Sequence, residues 1–316
     1  MADNLRISMV QSHIIWEDRD ENLGYYGELL RRVSGKTDIA VLPETFTTGF
    51  SMDVEKLADT MDGPTIPIIK GWAKKYKLAV AGSFIAKEGG KYFNRAFFVT
   101  PEGETYLYDK RHLFRMAGED QHFTAGDKRT IVRYKGWNIC LQVCYDLRFP
   151  VWSRNVDNEY DLLIYVANWP EARKKVWKTL LQARAMENMA YVCGVNRVGI
   201  DGKGFVYRGD SMIFSPKGKK LADAGVIEIG AGKGRAITLT HPAAPSVPEP
   251  EEPADRVPIV GNVAAGSPIL AQECIEDYLT FHTGHPGDVH FALRVRGESM
   301  LNAGILPGDL VVVRQQ

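Results

Sequence analysis

The sequence predicts a layered α/β protein joined to a separate, β-rich tail, and three observations carry that prediction. Across residues 1–240, apolar strand-like runs alternate with amphipathic helix-like runs, the pattern of helices packed on a sheet. At His241 the chain turns to proline, with six prolines in residues 241–258, a stretch that holds neither helix nor central strand and reads as an extended linker. The charge is divided too. The whole chain is neutral, yet residues 241–316 hold ten acids, four arginines and no lysine, leaving −6 there and +6 on residues 1–240. The expected organisation is an α/β domain at 1–240, a Pro/Glu-rich linker at 241–258 and a short, mainly β segment at 259–316.

Taken in order, Leu5–Gln11 and Asp38–Pro43 read as strands with an amphipathic helix between them from Glu21 to Val33. A second helix runs from Pro64 to Tyr76 and leads into the β-rich Leu78–Phe84. Strands Asn94–Thr100 and Thr105–Asp109 flank Pro101-Glu-Gly-Glu104, a hairpin turn signal. Ile139–Cys144, Leu162–Ala167 and Ala190–Val195 are apolar strands, the last preceded by a helix over Lys175–Asn188. Ser211–Ser215 and Arg235–Thr240 complete the set, and Phe291–Val295 and Leu310–Val313 are strand-like in the tail.

Composition excludes several function classes. A net charge of zero gives no reason to expect nucleic acid or a membrane surface as a partner, and no apolar run approaches the roughly 20 residues that span a bilayer. The start has no basic, then apolar, secretion signal. Cys140 and Cys144 lie on one strand, about 13 Å apart at the usual rise, beyond the reach of a disulfide. Free thiols fit a reducing, cytoplasmic setting. His282, His285 and His290 show no metal-ligand spacing and read as a solvated loop.

Three places carry chemistry: Glu44 after the strand Val41-Leu-Pro, Lys110 after Tyr108-Asp, and Cys144 at the end of the most apolar strand. Taken singly, each has an ordinary reading as a helix-start acid, a surface charge or a core thiol. Each sits at a strand exit, however, where side chains from neighbouring strands converge in one crevice. Together they suit acyl transfer through a thioester. A carboxylate takes the thiol proton and later returns it to leaving ammonia. An ammonium and the backbone N–H of Tyr145 hold the oxyanion. No metal or organic cofactor is required.

The local sequences resemble the nitrilase, or carbon–nitrogen hydrolase, superfamily. Its signatures stand in order as Leu42-Pro43-Glu44, Lys110-Arg-His-Leu-Phe114 and Cys144-Tyr-Asp-Leu-Arg-Phe-Pro150, with Asn168-Trp-Pro170, Gly194-Val-Asn-Arg197 and Gly209-Asp-Ser211 in support. The resemblance implies a four-layer αββα sandwich that pairs as a homodimer. It also implies a second acid before a glycine, for which Glu119 fits ahead of Gly126 and Asp120 is the alternative. Lys-Arg-His-Leu-Phe-Arg-Met and Ala-Asn-Trp-Pro resemble the ω-amidase branch, which removes ammonia from amides of keto acids such as 2-oxoglutaramate. A carboxylate-bearing substrate calls for a further cation. Arg148 is the first candidate, unless it pairs with Asp146 as a structural strut, and Phe46, Phe50 and Trp169 are candidate apolar walls. A carbon–nitrogen hydrolase for another amide, a nitrile or a carbamoyl group is the nearest rival reading.

The tail resembles the self-cleaving domain of the LexA repressor family. That likeness matches Ala265–Gly266 to a scissile bond and Ser299 to a nucleophile, but that family activates its serine with a downstream lysine, and no lysine follows Lys233. The expectation is an incomplete domain without self-cleavage, fused to an amidase that lacks its family's usual C-terminal extension. A regulatory role for the tail, with the amidase part as scaffold, is the less favoured alternative.

Overall fold

The computed structural model describes residues 4–223 and, beyond them, six short strand segments. In chain order these are β1 (Leu5–Met9), α1 (Arg19–Val33), β2 (Ile39–Val41), α2 (Val54–Leu57), α3 (Thr65–Tyr76), β3 (Ala79–Glu88), β4 (Lys91–Val99), β5 (Thr105–Asp109), α4 (Glu119–His122), β6 (Ile131–Tyr134) and β7 (Trp137–Val143). There follow α5 (Pro150–Ser153), β8 (Leu162–Ala167), α6 (Lys174–Asn188), β9 (Tyr191–Asn196), β10 (Val198–Ile200), β11 (Val206–Arg208), β12 (Met212–Phe214) and β13 (Lys220–Asp223). Last come β14 (Val226–Ile229), β15 (Leu239–Thr240), β16 (Arg256–Val260), β17 (Ile275–Thr280), β18 (His290–Arg294) and β19 (Leu310–Arg314).

Two sheets form the body, ordered β15-β14-β1-β2-β3-β4-β5 and β13-β12-β9-β8-β7-β6. Their central strands run parallel, β1 with β2 and β2 with β3, and β7 with β8 and β8 with β9. Alternation along each strand explains the layers. Ile39 and Val41 face the other sheet and meet Ile139, Leu141, Ile164 and Val195 in the central core. Ala40 and Leu42 point the opposite way, onto Leu30 of α1 and Ile69 of α3. On the second sheet, Leu163 and Val192 pack outward onto Trp177 and Leu181 of α6. Strands buried on both faces read as unbroken apolar runs, which is why they were visible. This is the expected αββα sandwich.

Element boundaries differ from the sequence reading at both ends: β1 stops at Met9 rather than Gln11, and β3 runs on to Glu88 rather than Phe84. α1 begins at Arg19 because the Asp18 carboxylate accepts from the Glu21 N–H at 3.1 Å, capping the first turn. The hairpin β10–β11 and the four-residue β6 were not foreseen, being too short to show alternation. Among the described residues no helix is long and apolar enough to cross a membrane, and Cys140, Cys144 and Cys193 are free thiols.

The chain divides into two compact units, Met1–Pro245 and Ser246–Gln316. In the second, a four-stranded sheet runs β17-β16-β18-β19, with β16 and β18 parallel and the other pairs antiparallel. β16 lies between two strands and begins at Arg256, so residues 256–258 of the expected linker belong to a central strand, with Pro258 opposite Tyr278. Ala265, Gly266 and Ser299, the residues of the degenerate cleavage site, lie outside the described residues.

Candidate active site

Glu44, Lys110 and Cys144 line one cavity of about 270 Å³ at the ends of β2, β5 and β7. The backbone turns sharply beside two of the three residues. Cys144 takes φ +45° and Thr45, next to Glu44, takes φ +42°, left-handed values that are unusual for residues with a Cβ and need support from the surroundings. For Thr45 the support includes its N–H, which donates to Ser83 Oγ at 2.8 Å.

The two carboxylates grip the ammonium. Lys110 Nζ donates to Glu44 Oε1 at 3.0 Å and to both Glu119 oxygens at 2.9 Å, with all three side chains buried. Asn94 Nδ2 donates to Glu44 Oε1 at 2.8 Å, and the Asn168 N–H donates to Oε2 at 2.7 Å. Glu119 Oε2 also accepts from the Phe114 N–H. Gly126 follows Glu119 because its loop presses against the end of β5: a Cβ there would lie 2.1 Å from the Asp109 carbonyl. The neighbouring acid, Asp120, is paired with Arg115 on the surface, 3.5 Å away.

Charge and burial set the protonation states. Burial opposes the Lys110 ammonium, but the charges of Glu119 and Glu44 outweigh it and raise its pKa. Lys110 is a fixed cation. Burial, then the negative charge of Glu44, push the Cys144 thiol well above its ordinary range, with Lys110 opposing. The resting nucleophile is therefore a thiol, which needs a base at the moment of attack. Glu119 is raised by burial first, with Lys110 opposing and Glu44 adding to the rise.

Of the expected apolar walls, Phe50 and Trp169 line the cavity, as do the expected cation Arg148 and Tyr145, the residue expected to offer its N–H to the oxyanion. Phe46 does not. Two residues beyond Glu44 the chain faces the helix layer, and Phe46 packs edge-on against Tyr26 and Phe97 in the outer core. The strut between Arg148 and Asp146 is also absent. Asp146 is buried and accepts from Tyr108 Oη at 2.7 Å, the Val143 N–H at 3.1 Å and the His112 N–H at 2.9 Å. His112 Nδ1 lies 2.8 Å from the same carboxylate. It thus ties the nucleophile turn to the lysine loop. From sequence, Asn94 has no role, Asn168 stands only within a supporting motif, and Asp146 enters only as the alternative partner of Arg148. The available signal was polar side chains inside or just after apolar strands.

The fold and this site define an amidohydrolase acting on non-peptide carbon–nitrogen bonds. The chain belongs to the carbon-nitrogen hydrolase family, whose pattern matches residues 6–230. It is 46% identical over 220 residues to the omega-amidase YafV of Escherichia coli strain K12, covering 70% of this chain and 85% of that one. A 2-oxoglutaramate amidase of Bacillus subtilis is 32% identical over 223 residues, 69% of this chain and 86% of the relative. The crystal structure of a CN-hydrolase superfamily protein from Xanthomonas campestris, with an arsenic adduct in its active site, has 44% identity and a TM-score of 0.70. It covers 72% of this chain and 91% of that one. Residues 258–316 match the peptidase S24-like family. A LexA repressor of Halorhodospira halophila is 47% identical over 104 residues, covering 31% of this chain and 45% of the repressor.

Proposed function

We propose that the chain is an ω-amidase that removes ammonia from the terminal amide of a small carboxylate such as 2-oxoglutaramate, through a thioester at Cys144. The carrying observation is that a thiol, a carboxylate and a fixed ammonium line the same cavity. Glu44 takes the Cys144 proton as sulfur bonds to the amide carbon, and negative charge moves to the carbonyl oxygen. The Lys110 ammonium and the Tyr145 N–H hold that oxyanion. The C–N bond breaks as Glu44 returns the proton to nitrogen, so ammonia leaves. Water then gives a proton to Glu44 and attacks the thioester. The C–S bond breaks, the thiol is restored and the acid departs. Glu119 keeps Lys110 charged and in place. Arg148, on the cavity wall, faces the substrate carboxylate, with Phe50 and Trp169 as apolar walls.

The substrate class is supported by the relatives named for ω-amidase and 2-oxoglutaramate amidase activity. Free thiols fit a cytoplasmic setting. Ammonia release from 2-oxoglutaramate by the purified protein, with Cys144→Ala in parallel, tests the reading. Release that vanishes in the variant supports it. Thioester formation with a different amide, but none with 2-oxoglutaramate, would retain the chemistry and change the substrate. Release undiminished by Cys144→Ala would remove the thioester.

A further inference from the structure

We propose that Arg173, together with Arg148, forms the anion-binding end of the cavity, and that Arg173 selects amides bearing a carboxylate over neutral amides of the same size. The proposal rests on the amidase reading and names a specificity residue for it. Four cations line the cavity: Lys110, Arg148, Arg173 and Lys203. Lys110 is neutralised by its two glutamates. Among the described residues the other three have no carboxylate within ion-pairing distance.

The nearby acids are already engaged. Asp201, on the cavity wall, accepts through one oxygen from the Lys203 and Phe205 N–H groups, each at 2.9 Å, and through the other from Tyr207 Oη at 2.8 Å. Glu171, two residues before Arg173, pairs with Lys174 and Arg208 instead. Asp210 pairs with Lys178. A cavity whose cations outnumber its free acids favours an anionic guest.

Both guanidinium groups are held in place by aromatic rings. Arg173 lies over Phe114 at 4.9 Å, and Arg148 over Trp169 at 5.5 Å. Phe114 packs against Tyr145 at 5.0 Å, closing a belt between the two arginines. The Arg173 backbone is fixed too: its carbonyl accepts from Trp169 Nε1 at 2.9 Å and its N–H donates to the Pro170 carbonyl at 3.0 Å. A guanidinium stacked on a ring keeps its N–H edge for a planar, bidentate partner such as a carboxylate. Arg173 is half-buried whereas Arg148 and Lys203 are exposed, so solvent screens Arg173 least. With the amide carbon at Cys144, the guest is a short aliphatic amide whose far end is a carboxylate.

The test compares succinamate with butyramide, its uncharged counterpart, in the full chain and in Arg173→Met, Arg173→Lys and Arg148→Met. Arg173→Met is expected to lower kcat/KM for succinamate by roughly 10- to 100-fold, mainly through KM, as the loss of a charge-assisted bidentate contact implies. Butyramide turnover stays within about twofold, and Arg173→Lys restores part of the loss. Equal losses on both amides, or no loss on succinamate, would overturn the proposal. A second readout needs no turnover: succinate is expected to protect Cys144 from iodoacetamide in the unmodified chain but not in Arg173→Met. Absence of protection in the unmodified chain overturns the anion site by itself. Absence of ammonia from every amide, with protection intact, refutes the amidase reading and leaves the anion site standing.

Discussion

At the residue scale, the division of labour between Glu44 and Cys144 has a sign that can be measured. The negative charge of Glu44 helps hold the Cys144 proton on sulfur, while the same carboxylate is the base that removes it during attack. Glu44→Gln deletes both effects. At pH 8 the variant thiol is expected to be alkylated by iodoacetamide faster than the original, because its pKa falls and its thiolate fraction grows. Ammonia release is expected to drop by a factor on the order of 10²–10⁴, the usual contribution of general acid–base catalysis. In the unmodified chain, a raised thiol pKa means slow alkylation near neutrality and a rise with pH into the alkaline range. Slower alkylation in Glu44→Gln would mean that the carboxylate activates the resting thiol instead. The trio itself was legible, since each member stands where an apolar strand gives way to a polar turn. Its supports were less so. Asp146 sits two residues from Cys144, but its partners Tyr108 and His112 come from β5 and the loop after it, and only the folded chain shows why it is unavailable to Arg148. Phe46 failed as a wall for a related reason: nearness to Glu44 in sequence says nothing about which face a turn presents.

At the element scale, the loop after β5 is where backbone shape and chemistry meet. Lys110 leaves the strand, Glu119 opens the short helix α4, and Gly126 returns the chain with its N–H donating to the Lys110 carbonyl at 3.0 Å. Because a Cβ at Gly126 would collide with the Asp109 carbonyl, Gly126→Ala forces the loop off the strand end. The expected result is a loss of kcat on the order of tenfold or more, since small misplacements of charged groups are felt strongly at such sites. The melting temperature changes by only a few degrees, as for a stability loss of about 1–2 kcal/mol in a domain of this size. Steady-state kinetics beside thermal denaturation distinguishes the two effects. Unchanged kcat would show that the loop can shift without disturbing the Lys110–Glu119 contact. Long elements were readable because the helical period persists over several turns in α3 and α6, and because β8 is an unbroken apolar run of six residues. The hairpin β10–β11 was not, although it carries the backbone between Arg197 and the cavity residue Tyr207, because three residues per strand leave no pattern to detect.

At the scale of the whole molecule, two surfaces remain to be accounted for. Around α5 and the end of α6, Val151, Val156, Met186 and Met189 are exposed. Asn155 beside them bonds to Asn188, its N–H reaching Asn188 Oδ1 at 2.9 Å, so the two elements form one face. An apolar face of this kind fits the homodimer implied by the family resemblance. Light scattering is expected to report a dimer that Val151→Glu with Met189→Glu converts to monomer; an unmodified monomer would remove the dimer. The other is the seam where β14 covers the edge of β1. The carbon-nitrogen hydrolase match ends at residue 230. The LexA likeness covers 31% of the 316 residues, more than lies beyond Thr240. The two likenesses therefore overlap on β14, which pairs antiparallel with β1 from Leu5↔Ile229 to Ser8↔Val226. Strand pairing runs through the backbone, so such an edge tolerates exchange of side chains as long as a strand remains. A chain ending at Pro245 is expected to keep its ammonia release and its melting temperature. One ending at Asp223 loses β14, leaves an apolar strand without its partner, and is expected to aggregate. Full activity in the shorter chain would make β14 dispensable. An inactive chain ending at Pro245 would show that the LexA-like segment supports the amidase, the one result that would give that segment a role in catalysis.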